Sequence, residues 1–118
     1  MRTIREEEKR IIEFLLKMIG TNSEEYPISE TVYEYEGGIM GSISMQNTDG
    51  SSYLRDLIQV HYLDVDQIPV VITLTVDKGG KLLDLDFWKE DFSKLIQYPT
   101  PDKLKVNIIG NGKFEARV

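Results

Sequence analysis

Ile68-Pro69-Val70-Val71-Ile72-Thr73-Leu74-Thr75-Val76-Asp77-Lys78-Gly79-Gly80-Lys81-Leu82-Leu83-Asp84-Leu85-Asp86-Phe87-Trp88 reads as two strands joined by a turn. In the first arm Ile68, Val70, Ile72, Leu74 and Val76 alternate with Pro69, Val71, Thr73 and Thr75. In the second, Leu83, Leu85 and Phe87 alternate with Leu82, Asp84, Asp86 and Trp88. Strand side chains point to opposite faces with a period of two, so each arm has one apolar face. The two apolar faces must coincide in the paired hairpin, which sets Val76 opposite Leu83, Leu74 opposite Leu85 and Ile72 opposite Phe87. That register needs an even loop, and Gly79-Gly80 suits a type I′ turn, which asks for positive φ at both central residues. The other face then carries Thr75 beside Asp84, Thr73 beside Asp86 and Val71 beside Trp88.

The preceding stretch, Tyr53 to Asp64, supplies a third strand, with Ile58, Val60 and Tyr62 on one face and Arg55, Leu57, Gln59 and His61 on the other. Matching apolar faces puts Tyr62 opposite Val70 and Val60 opposite Ile72, across an odd loop such as Val65-Asp66-Gln67. Two rows across three strands follow: His61, Val71, Trp88, and next to it Gln59, Thr73, Asp86.

Further from the hairpin, Thr3 to Ile19 has the pattern of an amphipathic helix. Thr3 and Glu6 have capping-box spacing. Ile4, Ile11, Ile12, Leu15, Met18 and Ile19 form an apolar stripe, and Gly20 suits the C′ position. Thr21 to Glu30 reads as a loop. Thr31 to Met45 reads as a second hairpin about Gly37-Gly38, with arms Val32–Glu36 and Ile39–Met45; Gly41 inside the second arm marks a bulge or a close backbone approach. Gln46 to Ser52 is a polar turn containing Asp49-Gly50. Lys89 to Gln97 is expected to form a short helical turn ending before Pro99 and Pro101; Asp91 is placed to cap it, and the roles of Lys89 and Phe92 stay open, a core position being one reading of Phe92. Leu104–Ile109 and Phe114–Val118 are expected to form a last strand or a hairpin about Gly110-Asn111-Gly112. The expected fold is a single α+β domain over residues 1–118, one N-terminal helix on a mainly antiparallel sheet of about four to six strands.

Composition narrows the function classes. With 118 residues and no cysteine, the chain is one domain by size and has neither disulfides nor thiolate metal sites. A net charge of −6 argues against nucleic acid, whose binders need basic surface, and suits a basic partner. The first residues lack the apolar core of a signal peptide, and no apolar run approaches the roughly 18–20 residues of a membrane span. A cytoplasmic protein of bacterial style, acting at neither nucleic acid nor membrane, is the expectation.

The candidate site is the second face of the hairpin: Trp88, Asp86, Asp84, His61, Val71 and Gln59. Two carboxylates and an imidazole can hold a divalent ion or act as acid and base, provided they converge. The plain alternative is a solvated strand face with Thr–Asp cross-strand pairs. No motif asks for a cofactor. Asn47-Thr48-Asp49-Gly50-Ser51 begins like a calcium loop but has Ile58 where the bidentate glutamate belongs. The glycine turn is neither a P-loop nor a dinucleotide fingerprint, and no serine sits in a nucleophile elbow. Leu57, Val71, Leu82 and Trp88 interrupt an otherwise polar face, the mixture either of a binding patch with an aromatic anchor or of a face covered by the Lys89–Gln97 segment or the C-terminal tail.

Three stretches carry a family likeness: Glu36-Gly37-Gly38-Ile39-Met40-Gly41-Ser42, Asp64-Val65-Asp66-Gln67-Ile68-Pro69-Val70, and Leu85-Asp86-Phe87-Trp88-Lys89-Glu90-Asp91-Phe92. Together they resemble an uncharacterised family of small bacterial α+β proteins, with a Leu-Asp-x-Trp-Lys-x-Asp-Phe motif as the most distinctive part. The resemblance extends to about Pro99. Members often have a shorter glycine turn, and Ile39 looks like one extra residue. The resemblance implies no activity and hands over no catalytic residue. The small acidic α+β build is also similar to that of immunity proteins from bacterial toxin systems, a likeness of architecture alone. The leading expectation is a non-enzymatic protein-binding module, immunity-like, acting through the Trp88 face. A metal-assisted or acid–base enzyme using Asp84, Asp86 and His61 is the alternative, and a structural homodimer through the same patch is the third reading.

Overall fold

The computed structural model describes residues 1–35, 39–47 and 51–106. In chain order these residues form β1 (Arg2–Thr3), α1 (Glu6–Met18), β2 (Thr31–Glu34), β3 (Ile43–Ser44), β4 (Tyr53–Leu63), β5 (Pro69–Asp77), β6 (Leu82–Lys89), a 3₁₀ turn (Pro101–Lys103) and β7 (Lys105–Val106). The strands make one sheet in the order β1-β2-β3-β6-β5-β4-β7, every neighbouring pair antiparallel. The α+β architecture is the expected one. Seven strands replace the expected four to six because two-residue pieces, β1 and β7, extend the sheet at its ends.

Helix α1 buries Ile11, Ile12, Leu15 and Leu16 in one cluster with Val60, Ile72, Leu74, Leu85 and Phe87 from the sheet. It begins later than the expected capping box. Thr3 is taken by β1, opposite Thr31, and Glu8 accepts from the Arg5 amide at 2.7 Å instead. At the other end Gly20, at φ +81°, is the C′ residue of a Schellman motif: its N–H reaches the Lys17 carbonyl and that of Thr21 the Leu16 carbonyl. Met18 and Ile19, expected in the apolar stripe, are exposed. Met18 lies at the edge of the stripe, and Ile19 is already the C-cap, where the chain leaves the helix.

The central hairpin has the expected register through most of its length. Val71 faces Trp88, Ile72 Phe87, Thr73 Asp86 and Leu74 Leu85. Across β4, Gln59 faces Thr73, Val60 Ile72, His61 Val71 and Tyr62 Val70, with Leu63 and Pro69 closing on the loop. Both predicted rows, His61–Val71–Trp88 and Gln59–Thr73–Asp86, exist.

The turn itself differs. Val76 pairs with Leu82 and not Leu83, and Asp77 N–H bonds the Lys81 carbonyl, leaving a three-residue loop, Lys78-Gly79-Gly80. Only Gly80 has positive φ, at +82°, so this is a type I turn closed by a left-handed residue, with a bulge in β6. The cause is Asp77, whose Oδ1 accepts from the amides of both Gly79 and Lys81 at 2.9 Å. The extra residue moves Leu82 into the core cluster and off the second face; Leu83 is buried outside that cluster. A Cβ on Gly80 meets nothing within 4 Å, so Gly80→Ala should cost only backbone strain, about 1–2 kcal/mol. Gly79→Ala should shift stability by less than about half that. Urea denaturation of the two variants checks this, and equal costs would rule the turn assignment out.

Register shifts fall after Tyr53 and after Asp56 in β4. They bring Asp56, and not Leu57, opposite Thr75, and turn Arg55 to Val76. Leu57 packs partly against the core. Gly41, at φ +95°, is a close approach: a Cβ there would stand 2.8 Å from the Leu95 side chain and 3.5 Å from the Phe87 ring. The strand expected over Ile39–Met45 is therefore only Ile43–Ser44.

Lys89 to Gln97 forms no helix after β6 ends at Lys89. Its amides find partners elsewhere in the fold: Leu95 N–H donates to the Ile39 carbonyl, and Ile96 and Gln97 N–H donate to the Asp64 carboxylate. Those bonds replace the i−4 carbonyls a helix would offer. Asp91 accepts from the Ser93 amide and hydroxyl in a local turn, and caps no helix. Phe92 is 65% exposed, and not core. The strand expected from Leu104 is present as β7, which pairs with Val60 and His61 of β4. The Gly37-Gly38 and Asp49-Gly50 turns, the remainder of the Leu104–Ile109 strand, the Gly110-Asn111-Gly112 turn and the Phe114–Val118 arm lie outside the described residues. No helix among the described residues is long and apolar enough to cross a membrane.

Candidate functional site

Helix α1 covers one face of the sheet, and the rows predicted from the sequence lie on the other. On β6 this second face carries Asp84, Asp86 and Trp88; β5 contributes Val71, Thr73 and Thr75, and β4 contributes Asp56, Gln59 and His61. The central strand is sealed by its neighbours: Val71 is 4% exposed and both threonines are buried. Gln59 donates from Nε2 to Thr73 Oγ1 at 3.0 Å, and Thr75 Oγ1 accepts from the Asp84 amide. The accessible side chains of this face are therefore those on the flanking strands.

Two hydroxyls, neither anticipated from the sequence, hold the β6 carboxylates. Tyr35 O–H donates to Asp84 Oδ1 at 2.7 Å, and Ser42 O–H to Asp86 Oδ1 at 3.0 Å. Ser42 Oγ also accepts from the Phe87 amide, which ties the loop before β3 to β6. Burial and the bond to Asp84 push the Tyr35 phenol above its ordinary range. Tyr35, Met40, Ser42, Asp84, Asp86 and Trp88 line a half-open cleft of about 380 Å³.

Trp88 is 41% exposed and meets the ring of Phe92 edge-on, with centroids 6.0 Å apart and planes at 77°. Phe92 has φ +60°, a left-handed backbone that bulky residues rarely adopt. A reverse turn imposes it: the Phe92 amide donates to the Lys89 carbonyl, and Asp91 takes the Ser93 amide and hydroxyl.

His61 does not join the carboxylates. It lines a separate cleft of about 530 Å³ with Gln67, Asp102, Lys103 and Lys105. β5 lies between His61 and the β6 residues, and two strand spacings are about 10 Å. Among the described residues, no three His, Cys, Asp or Glu side chains gather where they could hold a metal ion.

A buried charge cluster lies at the end of the sheet, and the sequence reading missed it. Lys89 follows Trp88 and so points to the opposite face, where it is fully buried. Its Nζ donates to Asp64 at 3.0 Å, to Asp66 at 2.7 Å and to the Lys94 carbonyl at 3.0 Å. Burial works against both charges. The amides of Ile96 and Val65 and the Lys89 ammonium nonetheless hold the Asp64 carboxyl below the usual range, and Asp66 and Asp64 hold the Lys89 ammonium above its own. A signal was present: Lys89 continues the apolar series Leu85, Phe87, and a charge on a buried face requires partners.

A family model described as a domain of unknown function, DUF6984, matches residues 1–99. No curated protein and no solved structure matches the chain.

Proposed function

Since the chain belongs to the DUF6984 family, whose function is unknown, we propose its role from the site alone: a non-enzymatic protein-binding module that engages its partner through the Trp88 face. The carrying observation is the Trp88–Phe92 pair, two large aromatic rings left 41% and 65% exposed and packed edge-on against each other. Exposed aromatics ringed by polar groups are the composition of an interface centre. Asp84 and Asp86 flank the pair, and with a net charge of −6 they favour a basic partner. An immunity-like role, in which that partner is a basic toxin domain, fits this charge and the small α+β build. The acid–base or metal reading would need His61 brought across β5 to Asp84 and Asp86.

The test is capture from lysate of the native source with wild type, Trp88→Ala, Phe92→Ala, Asp86→Ala and a control variant away from the face, each first shown to fold. One partner held by wild type and control is expected to weaken by at least about 2 kcal/mol, roughly 30-fold, with Trp88→Ala. Retention of that partner by folded Trp88→Ala and by Phe92→Ala would sink the proposal. A dimer mass in sedimentation that Trp88→Ala converts to monomer would replace it with self-association.

A further inference from the structure

The cleft beside Trp88 combines two aromatic side chains, Tyr35 and Trp88, with the Met40 thioether and the carboxylates of Asp84 and Asp86; among the described residues, no lysine or arginine lines it. We propose that this cleft receives an arginine side chain of the protein partner, its guanidinium placed over the Trp88 indole and paired with the Asp84 carboxylate. The assignment rests on the protein-binding reading above and names what that face recognises.

Three observations select this occupant. First, the indole is held before binding. Phe92 meets it edge-on, and the turn closed by the Phe92 amide on the Lys89 carbonyl keeps Phe92 in place despite its left-handed backbone. Second, the Tyr35 hydroxyl orients Asp84 by donating to Oδ1. A carboxylate offers about four lone-pair sites, so this bond leaves it able to accept from a guanidinium. Third, the charge is one-sided. An apolar side chain in the cleft would strip water from the Asp84 carboxylate without replacing it, and a phosphate would be repelled. Among cations, guanidinium fits better than ammonium: it is planar, stacks on an aromatic face and donates in a fork that matches a carboxylate. Such pre-ordered groups give affinity chiefly by lowering the cost of ordering on binding.

The chain has a single tryptophan, Trp88, so one indole N–H signal in a ¹⁵N spectrum reports on the cleft. Tri-arginine amide and tri-lysine amide are titrated separately into the full chain at matched ionic strength. The expected result is a saturating shift of the indole signal with tri-arginine, at an affinity about threefold or more above that of tri-lysine. Asp84→Asn should weaken it about tenfold, and Tyr35→Phe, which keeps the ring and removes the hydroxyl, about two- to threefold. A shift that fails to saturate, or that is equal for the two peptides, overturns the assignment, as does one unchanged in both variants. If Asp84→Asn fails to fold, the peptide comparison and Tyr35→Phe still decide. A partner lost with folded Trp88→Ala but unaffected by Asp84→Asn would overturn the arginine assignment and leave the binding face standing.

Discussion

Asp64→Ala is expected to destabilise the protein by about 3–5 kcal/mol, the range found when one member of a buried ion pair is removed. The side chains of Asp64 and Lys89 are both fully buried. Without Asp64 the Lys89 ammonium keeps Asp66, whose side chain is 33% exposed, and the Lys94 carbonyl. Neither replaces a desolvated carboxylate. Asp64 also accepts from the amides of Val65, Ile96 and Gln97, at 2.8, 2.8 and 3.1 Å, so its loss orphans backbone donors of the Lys89–Gln97 segment as well. The effect should reach the second face. Leu95 lies within that segment, bonds the Ile39 carbonyl and packs where a Gly41 side chain would be, and the adjoining Met40 and Ser42 line the Trp88 cleft. Urea denaturation measures the first effect, and hydrogen exchange at Ile96 and Gln97 the second. The double variant Asp64→Ala/Lys89→Met should be less destabilised than the two single changes added together, because the uncompensated charge leaves with its partner. A single-variant cost under about 1 kcal/mol would show that water reaches the pair.

This pair marks where sequence reasoning stopped. The registers of β4, β5 and β6 were legible because a one-residue slip would turn Val60, Ile72 and Phe87 out of the core, which leaves only slips of two, and the short loops choose among those. That is why His61, Val71 and Trp88 fell into a single row. The turn was misread where a side chain overrides the pattern. Gly79-Gly80 suggests a type I′ turn, but Asp at the first position and Gly at the fourth of Asp77-Lys78-Gly79-Gly80 is the signature of type I, and the Asp77 carboxylate enforces it. The Lys89–Gln97 segment has helix-forming composition, yet its conformation is dictated by Asp64, a residue about thirty positions away. No local propensity carries that information. On the site, the sequence placed Asp84, Asp86 and Trp88 on one face but not Tyr35 and Ser42, because the contacts between the two hairpins depend on how β3 docks on β6.

Glu8→Gln is the second large effect expected, about 2 kcal/mol at neutral pH, the scale of hydrogen bonds to a charged group. Glu8 is fully buried where α1, β1 and Tyr98 meet. Arg2 donates to both carboxylate oxygens, at 2.9 and 2.7 Å, while the Arg5 amide and the Tyr98 hydroxyl add bonds at 2.7 and 3.2 Å. Glutamine keeps the shape but opposes part of this donor set with its own N–H₂. Acid should erase the difference. Burial alone would raise the Glu8 carboxyl, but Arg2 and the Arg5 amide outweigh it and hold the group below its ordinary range. A depressed folded-state value means that the unfolded chain binds the proton first. The contribution is therefore complete above the unfolded value of about 4.3 and is lost as pH falls through the folded one. Asp64 has the same sign. Lys89, held above its ordinary range, has the opposite one: its contribution is intact below about 10.4 and is lost as pH rises through its folded value. The gap between wild type and Glu8→Gln in urea midpoints should thus be widest from pH 6 to 8 and close progressively below about pH 4. A gap that stays constant down the acid limb would mean that Glu8 is buried as the neutral acid. Arg2 would then be held chiefly by Glu34, with which it shares a 2.9 Å contact, and the junction of β1 with α1 would not depend on the buried charge.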